Sequence, residues 1–288
     1  MTHAWPQRIV CLTEETTETL YRLGEGDRIV GVSGYTVRPP EARRKPRVSA
    51  YINAKFDAIL ALEPDLVLTF SDLQADITRE LVRRGATVFN YNQRSVEEIF
   101  AMMASLASLV GAARRGQSLE ADLRSGLNAI AASAKRFPRR PRVLFEEWKA
   151  PLITGIRWVE ELIEIAGGEP VFPELRERSR AAERIVAPEE AAWRNPDVII
   201  ASWCGQKVNK RAIAARSGWD AVTAVRAGHI YEIKSTYILQ PGPASLTEGV
   251  RQLHRILAHV AGVTLPPELL PSERCDPDLP AAPAISVR

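Results

Sequence analysis

The chain has 288 residues, 45% of them apolar and 25% charged, which is ordinary globular usage and excludes disorder, collagen or a coiled coil as readings of the whole chain. Thirty-eight basic residues against 35 acidic ones leave a net charge of +3, too balanced for charge alone to imply a nucleic-acid partner. No apolar run reaches the roughly 18 residues of a membrane-spanning helix, and the three cysteines Cys11, Cys204 and Cys275 lie too far apart for a CxxC zinc site or a disulfide framework.

The stretch Met1 to Gln7 is polar or aromatic and carries no apolar signal segment. The sequence as it stands therefore reads as cytoplasmic, or as extracytoplasmic if its N-terminus has been trimmed. Short β-branched runs then alternate with helical patterns, as in parallel α/β units. The expected strands are Ile9–Leu12, Ile29–Val32, Leu66–Phe70, Val88–Tyr91, Val143–Phe145, Val198–Ser202 and Ile230–Ile233. Several are apolar throughout, as in a sheet covered on both faces.

Helix signals fall between these strands. Thr13 caps a helix with Glu14 and Glu15 in its first turn and Gly24 as its stop. Ser71 precedes a helix over Asp72–Arg84 that Gly85 closes, and Ser95 with Glu98 forms a capping box ahead of Ile99, Met102, Met103 and Leu106. Residues 112–137 carry no strand signal; Leu119, Leu123, Leu127 and Ile130 recur there at helical spacing, predicting one long helix. Pro243 suits the first position of a helix over Ala244–Ala261. The proline-rich end from Pro266 to Arg288 reads as an extended tail. Trp158 and Trp193 are expected in the core, Trp219 as a turn anchor, and nearly all the acids on solvated helix faces.

A weak internal repeat organises the whole. Asp57 stands seven residues before Pro64-Asp65, and Glu189 seven before Pro196-Asp197; each Pro-Asp leads into an apolar strand. The expected fold is α/β: two Rossmann-like lobes with parallel sheets, joined by one long helix, with a ligand cleft between them. The boundaries are 1–111 for the first lobe, 112–137 for the connecting helix, 138–263 for the second lobe and 264–288 for the tail.

Motifs of common α/β enzymes fail. Gly24-x-Gly26 lacks its third glycine because Ile29 stands there, so the dinucleotide fingerprint is absent. Gly31-Val-Ser33-Gly34 is followed by Tyr35, where a nucleophile elbow needs glycine. There is no phosphate loop and no HExxH, and His254 and His259 are five apart, off one helical face.

What remains is a set of rings and polar groups just after strands, where open parallel sheets bind ligands. Tyr35 follows the second strand; Phe70, Ser71 and Asp72 the third; Tyr91 and Asn92 the fourth. Glu147 and Trp148, then Trp203, Cys204 and Gly205, then Tyr237 and Gln240, follow strands of the second half, and Tyr51 lies in a loop. Rings offer contact area at little rotamer cost, which suits a broad, partly apolar ligand.

The ordered pieces Arg8-Ile-Val-Cys-Leu-Thr-Glu-Glu-Thr-Thr-Glu-Thr-Leu, Ile29-Val-Gly-Val-Ser-Gly-Tyr35, Arg38-Pro-Pro, Pro46-Arg-Val-Ser-Ala-Tyr51 and Asp57-Ala-Ile-Leu-Ala-Leu-Glu-Pro-Asp-Leu-Val-Leu carry a resemblance. The chain resembles the iron-siderophore and vitamin B12 binding proteins of ABC importers, from about Arg8 to Ala261, and within them the B12 binders. The resemblance implies two lobes on a rigid helix, no enzymatic activity and no intrinsic cofactor. The implied ligand is cobalamin or another corrinoid, with an iron chelate such as a siderophore or haem as the alternative. It places Tyr35, Tyr51, Phe70 and Tyr237 where B12 binders contact the corrin, with Tyr51 and Tyr237 at places that usually hold tryptophan; Glu183 lies near a further aromatic place that is unmatched. It puts Asp57 and Glu189 where the family docks on a permease. The expected ligand set is Tyr35, Tyr51, Phe70, Asp72, Trp148, Trp203, Tyr237 and Gln240, in a monomer with no membrane span and no bound metal of its own. Two other readings stay open: a cytosolic corrinoid-handling protein without a permease, and an enzyme acting on a tetrapyrrole or metal chelate. In the enzyme reading Cys204 is the reactive candidate and Tyr35 or Tyr51 an iron ligand.

Overall fold

A computed structural model describes residues 4–272 and 275–279. It divides into two compact units at Leu123/Arg124, with Pro241–Pro243 belonging to the first. Each is an α/β unit built on a parallel-rich sheet, the expected fold class.

In the first unit, β1 (Ile9–Cys11) leads to α1 (Glu14–Arg22) and β2 (Ile29–Ser33); β3 (Arg47–Ala50) and β4 (Asn53–Ala54) follow, then α2 (Phe56–Leu60), β5 (Leu66–Phe70), α3 (Ala75–Arg83), β6 (Val88–Tyr91) and α4 (Val96–Leu109). The sheet order is β4-β3-β2-β1-β5-β6, antiparallel only between β3 and β4. The chain leaves β1 toward β2 on one side, while β5 and β6 lie on the other. The connections therefore diverge between the carboxyl ends of β1 and β5, the point at which an open sheet leaves a crevice. Val10, Leu12, Val48, Ile59, Val67, Ile77 and Leu81 form a core of this unit.

The helix α5 (Ala113–Ala134) occupies the stretch expected to be helical, and the division between units falls within it. Leu123, Leu127 and Ile130 are buried, as their spacing predicts. The second unit then runs β7 (Arg142–Lys149), β8 (Leu152–Thr154), α6 (Arg157–Ile165), β9 (Glu169–Pro170), α7 (Pro188–Trp193), β10 (Val198–Ala201), α8 (Lys210–Ala214), α9 (Thr223–Arg226), β11 (Ile230–Glu232), α10 (Ser235–Ile238) and α11 (Val250–Val260). Its sheet is ordered β11-β10-β7-β8, with β9 also on β7. β10 and β11 are parallel to β7, so the divergence point here lies between β7 and β10.

The repeat has a structural meaning. Asp65 accepts the backbone N–H of Gln7 (2.6 Å) and Arg8 (2.9 Å) as the chain enters β1. Asp197 accepts the N–H of Arg142 (2.9 Å) at the start of β7. The residue before each Pro-Asp, Glu63 and Asn195, sits in the left-handed region at φ 48 in both. Each copy clamps the first strand of its own unit with a carboxylate held by a tight turn.

Several expectations need correction. The strands β3, β4, β8 and β9 are additional to those expected from the sequence. The helix after Ser71 starts with a 3-10 turn, Asp72–Gln74, before α3, and Ser71 is itself left-handed at φ 62. Thr13 makes no capping bond through its side chain. The helix expected from Pro243 opens with a π turn, Ser245–Gly249. Trp158 and Trp219 are buried, but Trp193 is 83% exposed at the end of α7. The short helix stops there and turns into Asn195-Pro196, leaving nothing to cover the ring. The acids Glu14, Glu15, Glu18, Glu146 and Glu160 are buried rather than solvated. Of the proline-rich end, Pro267–Leu269 forms a 3-10 turn, and Asp276 accepts the N–H of Glu232 (2.5 Å) and pairs with Lys210. Residues 273–274 and 280–288 lie outside the described residues.

Candidate functional site

In the first unit the carboxyl ends of β1, β3 and β5 are stitched together by one side chain. Gln74 is fully buried. Its Oε1 accepts the Phe70 N–H (3.0 Å), and its Nε2 donates to the carbonyls of Tyr51 (2.6 Å) and Leu12 (3.3 Å). Three backbone groups that leave the sheet ladder are satisfied by one amide, which fixes the loops relative to one another. Tyr51, half-buried, is left-handed at φ 39 in the turn between β3 and β4. Phe70 is buried, with the Arg94 guanidinium 5.3 Å from its ring centroid. Asp72 is exposed and pairs with Arg94 (2.9 Å). Tyr35 is exposed, and its N–H donates to Ser33 Oγ (3.2 Å).

The first turn of α1, beside the divergence point, holds Glu14 and Glu15. Ser33 Oγ donates to Glu14 Oε1 (2.9 Å), while Glu15 Oε1 has no hydrogen-bond partner. Burial raises both carboxyls, Glu15 to about 8, with the Glu14 charge adding to the effect. Adjacent buried carboxyls resist double ionisation. Gly242 packs against Glu15, where an added Cβ would come within 2.5 Å of the Glu15 Cβ.

The second unit also carries an acid pair, but within its first strand and with different partners: β7 runs on to Lys149, so Glu147 and Trp148, expected just after the strand, lie in it. Glu146 is held by Arg216 through two bonds (2.6 and 2.8 Å) and by the Trp203 indole N–H (3.0 Å). Glu147 pairs with the buried Arg184 (2.7 Å). Trp203 is therefore buried in the core with its polar edge satisfied, and Lys149 Nζ lies 5.1 Å from its ring centroid. Trp148 is half-buried against the same core, Tyr237 and Gln240 are half-buried, and Cys204 is exposed. Glu160 on α6 is buried with its Oε2 unpartnered. Its carboxyl is pushed up to about 8 by burial, against the pull of Arg176 and Arg184. A Cβ on Gly155 would overlap Glu160 Oε1.

Of the two expected docking acids, Asp57 is almost wholly exposed in the first turn of α2 and pairs with Arg84 (2.8 Å). Glu189 is exposed in the first turn of α7, on the helix that ends at Trp193. Among the described residues no group of three His, Cys, Asp or Glu is arranged to hold a metal ion, and no helix is long and apolar enough to cross a membrane.

Sequence reading missed Gln74, the buried Arg184 and the acid pairs. One signal for the pairs was available: each is a Glu-Glu dipeptide just past the first apolar run of its unit, Ile9–Leu12 and Val143–Phe145. Gln74 left no signal, because a glutamine in a helix start is ordinarily solvated.

A family model described as periplasmic binding protein matches residues 9–237. The chain belongs to the periplasmic binding protein family. A vitamin B12-binding protein of Vibrio parahaemolyticus is 27% identical over 247 residues, covering 83% of this chain and 86% of the relative. Among solved structures, the periplasmic vitamin B12 binding protein of Vibrio cholerae superposes with a TM-score of 0.69 at 24% identity, covering 88% of this chain and 98% of that one. A periplasmic heme-binding protein from Roseiflexus in apo form gives 0.77 at 21% identity, covering 88% and 99%. These structures share the periplasmic binding protein fold with this chain across most of its length.

Proposed function

We propose that this periplasmic binding protein holds a corrinoid, cobalamin-like ligand without altering it, for uptake by an ABC-type importer. What carries the reading is the likeness to B12-binding relatives over more than four fifths of the chain, joined to rings at the carboxyl ends of the strands. Tyr35, Tyr51 and Phe70 from the first unit, and Trp148, Trp203, Tyr237 and Gln240 from the second, are the proposed ligand set, with Asp72 at its edge. Phe70 and Trp203 act from beneath: Phe70 supports Arg94 and Asp72, and Trp203 orders the Glu146–Arg216 pair. Asp57 and Glu189 are the proposed permease contacts. Exposed carboxylates of this kind steer encounter and fix orientation more than they add affinity.

The test is titration of the purified chain with cyanocobalamin, dicyanocobinamide, hemin and a ferric siderophore, followed by calorimetry and tryptophan fluorescence. Binding of the two corrinoids at micromolar concentration or below, with hemin and the siderophore weaker, supports the reading. A preference for hemin transfers the site to a haem ligand, and no corrinoid binding at tens of micromolar overturns it.

A further inference from the structure

Two large apolar side chains of the first unit, Ile52 and Leu73, are 63% and 57% exposed. Single exposed apolar residues are common. These two stand on loops that belong together: Ile52 in the turn between β3 and β4, Leu73 in the turn after β5, both at the carboxyl end of the sheet. The Gln74 amide joins them, donating to the Tyr51 carbonyl in the peptide that leads into Ile52 and accepting from Phe70 N–H. The backbone around Leu73 is fixed from its other side as well. Ser71 N–H donates to Tyr91 O (2.7 Å), and Leu73 N–H donates to Ser71 Oγ (3.2 Å). A loose loop would fold such side chains inward; a locked one keeps them in water, which is unfavourable unless something covers them.

We propose that Ile52 and Leu73 form an apolar shelf for one face of a broad macrocyclic ligand, and that Gln74 is the positioning residue that holds the shelf in place. The inference rests on the reading that this site takes a corrinoid. Two side chains are far too little surface for a stable protein interface, which needs roughly 800 Å² from each partner. Leu73 follows β5 beside the point where the strand connections diverge, and the Gln74–Tyr51 bond draws the β3–β4 turn that carries Ile52 toward it, so one small molecule seated there reaches both. The shelf is pre-ordered, so the ligand does not have to immobilise it on binding.

The experiment uses the full chain with dicyanocobinamide as the probe, comparing wild type, Ile52→Ala, Leu73→Ala, the double variant, Gln74→Ala and Gln74→Ala/Ile52→Ala. Both shelf residues are exposed, so their truncation should leave the thermal midpoint unchanged. Each is expected to weaken binding by about 5–10-fold and the double variant by about 30-fold or more. Gln74→Ala should weaken binding and also erase most of the loss caused by Ile52→Ala, a coupling that a merely stabilising Gln74 would not produce. A double variant within about twofold of wild type overturns the shelf. Full additivity between Gln74→Ala and Ile52→Ala overturns the positioning role. A wild-type chain that binds no corrinoid overturns the proposed function, and the inference falls with it.

Discussion

Glu160 makes the stability of the second unit depend on pH in a direction opposite to that of an ordinary salt-bridged acid. Its carboxyl, ordinarily near 4.5, is pushed up to about 8, first by burial, with Arg176 and Arg184 too weakly placed to compensate. The folded state thus holds this proton more tightly than the unfolded chain. The resulting stabilisation is complete below the unfolded value and is lost as pH rises through about 8. Between about pH 6 and about pH 8.5 the difference in proton binding integrates to about 2–3 kcal/mol. Urea unfolding at the two pH values, followed by tryptophan fluorescence, reads this directly. Glu160→Gln keeps the shape and removes the proton, so its stability should fall less across the interval by that amount. Glu15, also raised to about 8, contributes a decline of the same sign, and Glu15→Gln/Glu160→Gln should flatten the profile further. A Glu160→Gln variant whose stability declines with pH as steeply as that of the wild type would refute the reasoning.

Gly155→Ala should destabilise the second unit by about 2–4 kcal/mol, because the new methyl meets the buried Glu160 carboxyl; calorimetric melting checks it, and Gly155→Ala/Glu160→Ala should recover part of the loss. Asp65→Ala removes the acceptor for two N–H groups at the entry to β1 and should lower stability by about 1–3 kcal/mol, with faster amide exchange at Arg8. Tyr51→Ala and Tyr237→Ala should each weaken corrinoid binding by about 1–3 kcal/mol in titration calorimetry. Asp57→Lys should leave ligand affinity unchanged and abolish stimulation of a reconstituted importer.

The sequence by itself determined the alternation of strands and helices, the capping box at Ser95, the long helix before Arg142 and the likeness of the two units. These signals are local: a cap, a period or a turn residue acts within a few positions, and Pro-Asp recurs with the same left-handed residue before it at Glu63 and Asn195. The strand-end position of Tyr35 and Asp72 was legible for the same reason. The burial of a strand-end residue was not. Phe70 and Trp203 lie in the core because Arg94 and Glu146, distant in sequence, meet them there. Trp193 is exposed because a six-residue helix ends before any element covers it. Glu15 and Glu160 look like solvated helix acids in the sequence, yet the segments packed over them remove water and shift their protonation. Gln74 acquired its role only when three loops converged on one amide. Partners far apart in the chain decide which polar groups lose water, and only the tertiary structure brings those partners together.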